Sequence, residues 1–232
     1  VTIVDTAAGV SELLDTILDH SAEPLYVDLE GQNLGRYGTI TIVTIHLEGL
    51  NRTFVVDVYT LGKEAFSTSA TTAPATTLKT IFESEAHTKV FFDLRNDSDA
   101  LYMLHNVLLR GVEDVQLLKL AARGCRGCGY LPGLKACVED SCELGLSLQQ
   151  KAQWVTRKEA ERKTFNAEGG DKGFTMRPLT PEAVAYCAGD VVLLPQLRRE
   201  YLARLDGFWL WMVARETAAR LEESQRDWYN PD

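Results

Sequence analysis

Short runs of β-branched and other hydrophobic residues alternate with polar turns over the first quarter of the chain. An amphipathic pattern comes first and predicts a helix over 11–20, with Ser11 as its N-cap. The next hydrophobic runs are separated by turns that contain Gly or Asn, which is typical of antiparallel strands. We therefore predict a meander of three strands, at 25–29, 39–47 and 52–58.

Helical and strand patterns alternate in the middle of the chain. The polar segment 67–77 is predicted to be a surface loop, and a domain boundary there is the alternative that we disfavour. The elements predicted after it are a helix over 78–84, a buried strand over 89–93, a helix over 98–107, a strand around Val112 and a helix to Ala122. Because parallel strands need long crossover connections, this alternation predicts parallel strands and a mixed α/β fold.

Helical patterns dominate the chain from Pro132 onward. Thr180 is expected to cap the helix predicted over 181–204, with Pro181 at its first position. A glycine-rich loop is predicted at 167–174. The predicted helices span 146–166, 181–204 and 208–225.

The composition is that of an ordinary globular protein, with 232 residues, of which 45% are hydrophobic. No signal-peptide pattern opens the chain, and the apolar stretch 208–214 is far shorter than the roughly 20 residues that cross a bilayer. We therefore expect an intracellular protein of the cytoplasm or nucleus, not secreted and without membrane contact. The 24 Lys and Arg against 33 Asp and Glu give a net charge of −9, which argues against a generic duplex-binding protein. An acidic site that binds cations remains compatible with this charge, because bound metal ions supply positive charge at a phosphate.

The first candidate site is an acidic pair at the end of a predicted strand. Asp28 and Glu30 follow the apolar run 25–27 and, being two residues apart, project from the same face of a strand. A solvated strand end is the alternative interpretation of this pair.

The second candidate segment follows the predicted strand 89–93. Asp93, Asp97 and Asp99 fall within seven residues, where open α/β sheets place their sites. The alternative is helix capping, by Asp97 or Ser98.

The third candidate lies within the helix predicted after Pro181. Tyr186 and Asp190 are four residues apart and therefore share one helix face. The close neighbours of Asp190 are otherwise apolar or small, so its carboxylate is expected to face the core. A carboxylate there must be paired, protonated or bound to a metal ion.

Together these segments resemble the motifs of the DEDD superfamily of 3′→5′ exonucleases, in the subclass with Tyr in the third motif. The D-x-E of the first motif is Asp28 and Glu30, and the Y-x-x-x-D of the third is Tyr186 and Asp190. The second motif is the stretch F-D-L-R-N-D-S at 92–98. The similarity is greatest to ribonuclease D-like and Egalitarian-type exonuclease domains. Phe92 departs from the His that is often found at its position.

The resemblance implies a ribonuclease H-like mixed sheet, with three antiparallel strands followed by parallel strands, flanked by helices. It also implies hydrolysis of single-stranded nucleic acid from a free 3′ end, RNA rather than DNA, releasing nucleoside 5′-monophosphates. Two Mg²⁺ or Mn²⁺ ions would be bound by Asp28, Glu30, Asp190 and an acid of the second motif, with Tyr186 orienting the attacking water. Asp97 fits the common spacing best, and Asp99 fits if the turn is longer by two residues.

We expect a single exonuclease domain over 1–232, with the motif-bearing core at about 22–205 and a C-terminal helix at 207–227. A catalytically inactive RNA-binding or scaffold domain of the same fold is the alternative function, and a nuclease acting on DNA is a third. Because all four acidic positions and Tyr186 are filled, an active enzyme is favoured.

Basic residues in the second half of the chain are candidate contacts for the phosphates. Lys163 and Arg177 belong to a segment from 151 to 177 that interleaves cations with aromatic rings, as single-strand channels do. A solvated helix face is the equally weighted alternative. The aromatic residues of the segment 151–177 are Trp154, Phe165 and Phe174. Arg95, next to the second motif, is a further candidate for a phosphate contact.

Two other features receive non-catalytic interpretations. The spacing of Cys125, Cys128, Cys137 and Cys142 fits no standard zinc module, so structural zinc is not expected. Cys187 is interpreted as core packing. The aromatic residues 208–211 are expected to dock the last helix on the domain, with a protein-partner surface as the alternative.

Overall fold

The structure is a computed structural model that describes residues 1–124, 130–142, 144–167 and 170–230, with side chains described outside 161–172. A six-stranded mixed sheet lies at its centre. The strands are β1 (Thr2–Val4), β2 (Leu25–Glu30), β3 (Ile42–Leu47), β4 (Arg52–Asp57), β5 (Lys89–Phe91) and β6 (Val112–Asp114).

The sheet has the strand order β1-β4-β3-β2-β5-β6. Strands β2, β3 and β4 form the antiparallel meander, whereas β1 pairs with β4, β5 with β2, and β6 with β5 in parallel. The predicted mixed sheet is therefore confirmed. Strand β1 was not predicted.

Helices cover both faces of this sheet. In the described part of the chain they are α1 (Ala7–Asp19), α2 (Val58–Leu61), α3 (Glu64–Ser67), α4 (Leu78–Phe82), α5 (Arg95–His105), α6 (Val115–Ala122), α7 (Leu134–Asp140), α8 (Leu148–Ala167), α9 (Pro181–Val191), α10 (Leu194–Leu202) and α11 (Gly207–Ser224). A short 3₁₀-helix, Gly170–Thr175, lies where part of the glycine-rich loop was predicted. None of the helices described is both long enough and apolar enough to span a membrane.

The alternation of side chains along β2 divides the core into two layers. Leu25, Val27 and Leu29 pack with α1, α3, α4 and α5 on one face of the sheet. Tyr26 points to the opposite face, into a cluster formed by α6, α7, α8, α10 and α11. Asp28 and Glu30 continue the Tyr26 side of the strand, because residues two apart share a face. The acidic pair is thereby directed away from the first apolar layer.

Two predicted helix starts are wrong by several residues. Helix α1 begins at Ala7, where the Thr6 hydroxyl accepts a hydrogen bond from the Gly9 N–H at 3.1 Å. Ser11 lies inside this helix and donates to the backbone oxygen of Ser69 at 2.7 Å. Helix α5 begins at Arg95 without a side-chain cap, so the proposed capping by Asp97 or Ser98 is also wrong.

The helix predicted over 181–204 is two helices, α9 and α10. The first begins as predicted, with the Thr180 hydroxyl accepting from the Ala183 N–H at 3.2 Å and Pro181 in the first turn. It ends at Val191 because Pro195 has no N–H to continue the ladder, and its ring would clash with the carbonyl four residues earlier.

A buried ion pair joins the loop after β2 to α5 and to the end of α11. The Arg36 backbone N–H and Nε donate to the two carboxylate oxygens of Asp99 at 2.6 and 2.8 Å. The side chains are 2% and 0% exposed, respectively. The loop that carries Arg36 turns back tightly, since a Cβ atom at Gly31 would lie 1.7 Å from the Thr39 oxygen. The pair therefore fixes this loop against the helix that follows β5.

Replacing Arg36 by Met should destabilise the fold strongly. The change leaves the Asp99 carboxylate buried without its counter-charge, which costs about 3–5 kcal/mol in comparable pairs. Urea denaturation of variant and wild type measures this difference. The double variant Arg36→Met, Asp99→Leu should recover part of the loss, and equal stability of Arg36→Met and wild type would contradict the assigned role.

Candidate active site

Three carboxylates from two elements meet beside the carboxyl end of β2. Asp28 and Glu30 come from that strand, and Asp190 comes from α9, which packs across β2, β3 and β4. One oxygen atom of each carboxylate lies within 4.8 Å of the others. Hard divalent cations prefer oxygen ligands of this kind. The three residues therefore fit a divalent metal ion.

Asp97 joins the same site from α5. Because β5 runs parallel to β2, the two strands end at the same edge of the sheet. The Asp97 side chain accepts a hydrogen bond from the Leu29 N–H at 3.1 Å, between the two acids of β2. Asp99, in contrast, is held by Arg36 outside the cleft. Of Asp97 and Asp99, the two alternatives for the acid of the second motif, the geometry favours Asp97.

The four carboxylates line a cleft of about 810 Å³. Its walls come from β2, the connection between β5 and α5, α9, and the segment 223–230 that ends and follows α11. Phe92 also lines this cleft. The acids are thus accessible to a ligand larger than a single ion.

Burial and mutual repulsion shift the ionisation of these acids. Burial raises the pKa of Asp28 well above its ordinary value, and the charges of Glu30 and Asp190 add to the effect. Burial also raises the pKa of Asp97 to about 7, although hydrogen bonds from backbone N–H groups oppose the shift. A bound cation would favour the ionised form of both acids, because its positive charge neutralises the carboxylates.

Lys158 on α8 places a positive charge against this cluster. Its Nζ donates to Asp190 Oδ2 at 2.6 Å and to the backbone oxygen of Tyr186 at 2.7 Å. The ammonium also lies 3.6 Å from the centroid of the Tyr186 ring, which is a cation–π contact. Lys158 therefore offsets part of the negative charge of the cluster and contacts both Tyr186 and Asp190.

Tyr186 stands between this lysine and a buried ring. The ring of Phe174 is 6.0 Å away, centroid to centroid. Burial raises the pKa of the Tyr186 phenol above its ordinary value, and the charges of Glu30 and Asp190 reinforce the shift. The hydroxyl group accordingly stays protonated at neutral pH and can donate a hydrogen bond.

The predicted phosphate contacts have different surroundings. Arg95 lines the cleft, where its Nε and one terminal nitrogen each donate to Asp93 at 2.7 Å. Arg177 is engaged by Asp57 and by the carbonyls of Phe174 and Met176. Its assignment to substrate binding therefore loses support, because these bonds give Arg177 a structural role. The side chain of Lys163 lies outside the described part of the structure.

Buried rings also weaken the interpretation of 151–177 as a stacking channel. Trp154 and Phe174 are 9% and 3% exposed, so neither ring offers a face to a base. Phe165 lies outside the described side chains.

Cys187 is buried, which confirms its predicted core packing. Cys137 is also buried, whereas Cys142 is exposed. Cys125 and Cys128 lie outside the described residues, and the prediction about zinc stays a prediction.

Sequence reasoning missed two contributors to the site. Lys158 was counted in a basic segment, but its contact with Asp190 spans 32 residues and no local pattern reveals it. The segment after α11 was also missed. The adjacent aromatic residues Trp228 and Tyr229, beyond a polar helix end, were the available signal.

A meander extended by parallel strands, with acids at the end of β2 and in the helix that follows β5, defines a ribonuclease H-like nuclease domain. The sequence model of the 3′-5′ exonuclease family matches residues 1–206. The chain therefore belongs to the 3′-5′ exonuclease family, and the resemblance noted from its motifs is confirmed at that level.

Solved structures with this fold include ribonucleases. RNase D of Trypanosoma brucei in complex with GMP has a TM-score of 0.78 and 22% identity, covering 97% of this chain and 64% of that one. Escherichia coli RNase D has a TM-score of 0.65 and 18% identity, with 97% and 50% covered. NrnC of Brucella melitensis has a TM-score of 0.63 and 19% identity, with 90% and 88% covered. No curated protein sequence matches the chain significantly.

The variant Asp97→Asn tests the cost of ionising the buried Asp97 carboxylate. Because the pKa of Asp97 is raised to about 7 in the fold, the folded protein binds a proton there that the unfolded chain has released. The stability from this group is therefore present at low pH and lost as the pH rises through that value. In EDTA, we expect the Tm of the variant minus that of wild type to grow from about pH 4 to about pH 7 and to level off above that pH.

Differential scanning fluorimetry across this pH range measures the difference, in which contributions from histidines cancel. Saturating Mn²⁺ should remove the trend for wild type by stabilising the ionised acids. A Tm difference independent of pH would contradict the raised pKa of Asp97.

Proposed function

We propose that the protein is a metal-dependent 3′→5′ exonuclease that hydrolyses single-stranded nucleic acid and releases nucleoside 5′-monophosphates. The observation that carries this proposal is the convergence of Asp28, Glu30, Asp97 and Asp190 on one open cleft. Membership of the 3′-5′ exonuclease family supports the direction of attack.

RNA is the substrate that we favour over DNA. Trypanosoma brucei RNase D has been solved with GMP and with RNA U12, and Escherichia coli RNase D is described as an exoribonuclease involved in structured RNA processing. The chain spans 64% and 50% of the lengths of these two proteins. Their substrates therefore support the proposal for the shared domain.

Four carboxylates are enough to bind two divalent cations. Asp28, Glu30 and Asp190 would bind the first ion, and Asp97 with Asp28 would bind the second. When bound, two such ions stabilise the attacking and the leaving oxygen of an in-line displacement. The raised pKa values of Asp28 and Asp97 fit this assignment, since burial is the main cause of both shifts and a bound cation would stabilise the ionised carboxylates.

The other residues of the cleft would position the substrate and the water. Tyr186, protonated and fixed by Phe174 and Lys158, can orient a water molecule through its hydroxyl group. Arg95 brings a guanidinium to the cleft, with Asp93 setting its direction. Lys158 acts as a positioning residue, because it contacts Asp190 and the backbone of Tyr186.

A non-catalytic RNA-binding or scaffold domain is the second candidate function. A domain of that kind has no need to keep four carboxylates together against their mutual repulsion. The retention of all four, with Tyr186 beside them, favours the enzyme.

The substitution Asp190→Asn should abolish hydrolysis. The amide removes one charge from the three-carboxylate group and lowers its affinity for a divalent cation, so activity with Mn²⁺ should fall by at least about 100-fold. Glu182→Gln, an exposed acid in the first turn of the same helix, is the matched control and should keep wild-type activity.

The assay uses 5′-labelled single-stranded RNA and its DNA counterpart, with Mg²⁺, Mn²⁺ or EDTA, and resolves the products on a gel. A metal-dependent ladder that shortens from the 3′ end establishes the exonuclease and ranks RNA against DNA. Hydrolysis by Asp190→Asn equal to that of wild type would rule out the proposed site. Binding without cleavage by wild type under every condition would favour the scaffold.

Lys158→Met should bind Mn²⁺ more tightly than wild type. The ammonium of Lys158 repels a cation near Asp190, and at an effective dielectric constant of about 20 its removal is worth at least about a tenfold change in Kd. Isothermal titration calorimetry measures the change. Lys135→Met is the control, because this exposed lysine lies beside the same part of α8 and pairs with Glu159. Weaker binding of Mn²⁺ by Lys158→Met would contradict the repulsion.

A further inference from the structure

We propose that Trp228 is a stacking platform for an unpaired nucleobase near the 3′ end of the substrate. The residue belongs to the segment 223–230, which forms one wall of the acidic cleft. The inference rests on the proposed function and names the chemistry by which that cleft would recognise its substrate.

The backbone before Trp228 is held rigidly. The two terminal nitrogens of Arg36 donate to the carbonyl oxygens of Ser224 at 3.1 Å, Arg226 at 2.8 Å and Asp227 at 2.8 Å. Arg36 is itself fixed by Asp99. These bonds satisfy carbonyls that the end of α11 would otherwise leave to solvent. The segment is therefore a built part of the cleft.

Tyr229, on the other side of Trp228, is also anchored. Its hydroxyl group donates to the side-chain oxygen of Asn96 at 3.4 Å, and the Arg36 guanidinium lies 5.6 Å from its ring centroid. Asn96 immediately precedes Asp97 in α5. The wall is thereby attached to the helix that carries the fourth carboxylate.

Between these anchors, Trp228 keeps 67% of its surface exposed while lining the cleft. The Arg226 guanidinium lies 5.3 Å from its ring centroid, and such a cation–π contact orients the indole. A large exposed aromatic ring on a fixed wall is typical of a binding surface.

Stacking on this ring suits the chemistry of the cleft. Every nucleobase has an aromatic face, so one indole can hold any unpaired nucleotide without reading its sequence. Arg95 supplies a cation for a phosphate in the same cleft. A ligand that enters with its phosphate at the acids therefore finds an aromatic wall beside them. The substrate class is unpaired polynucleotide, recognised without base specificity.

The first test compares three variants in steady-state hydrolysis of single-stranded RNA. Trp228→Ala should raise KM about tenfold, as expected for the loss of one stacked base, with kcat within about twofold of wild type. Trp228→Phe should restore most of the loss, because it retains a ring. Trp211→Ala is the matched control, since Trp211 is 57% exposed on α11 but does not line the cleft.

The second test removes the base instead of the ring. Oligonucleotides with one abasic site at each of the last three positions, and with phosphorothioate linkages at the 3′ end, are titrated by fluorescence anisotropy. An abasic site at the stacked position should weaken binding to wild type about tenfold and should leave the Kd of Trp228→Ala unchanged. This pattern assigns the contact to Trp228 and to one base.

The outcomes separate this inference from the proposed function. An equal Kd and KM for Trp228→Ala and wild type, or an abasic penalty that persists in Trp228→Ala, overturns the platform while the exonuclease stands. A wild-type protein that binds but does not hydrolyse overturns the exonuclease, and the abasic titration still decides the role of Trp228. A wild-type protein that does neither overturns both.

Discussion

Repulsion among carboxylates that must lie together is the constraint on which this structure depends. Asp28, Glu30 and Asp190 have oxygen atoms within 4.8 Å of one another, and Asp97 joins them from the first turn of α5. Each acid is positioned by a strand or helix whose own packing fixes it in the fold. Strand β2 is fixed by its apolar face, and α9 by its packing across the meander. The hydrophobic core thus supplies the free energy that keeps like charges close.

Nearby acids outside the cluster differ from it in having arginine partners. Asp57, Asp93, Asp99 and Asp114 each pair with an arginine. Burial would raise the pKa of Asp93, but the bonds and charge of Arg95 outweigh it and lower that pKa below its ordinary value. At the cluster, the same burial raises the pKa of Asp28 and of Asp97. Burial also raises the pKa of Asp114 despite the charge of Arg220, so the arginine partner, and not the direction of the pKa shift, distinguishes these acids from the cluster.

The sequence predicts the parts of the site that follow from local periodicity. A two-residue spacing in β2 and a four-residue spacing in α9 were enough to pair Asp28 with Glu30 and Tyr186 with Asp190. The motif spacing already favoured Asp97 over Asp99. The physical reason for the difference could not be predicted, because it is the pairing of Asp99 with Arg36, 63 residues away in the sequence. The role of Lys158 could not be predicted either, because its contact with Asp190 spans 32 residues. The break between α9 and α10, in contrast, was predictable from Pro195 alone.

The Arg36–Asp99 pair connects the two sides of the cleft. Asp99 lies two residues after Asp97, so the pair helps to set the helix turn that presents the fourth carboxylate. The same guanidinium holds the backbone that leads to Trp228. A displacement of Arg36 would therefore move an acidic ligand position and the aromatic wall together. Because one buried cation positions both, the spacing between the proposed metal site and the proposed base platform is a property of the core, not of a surface loop.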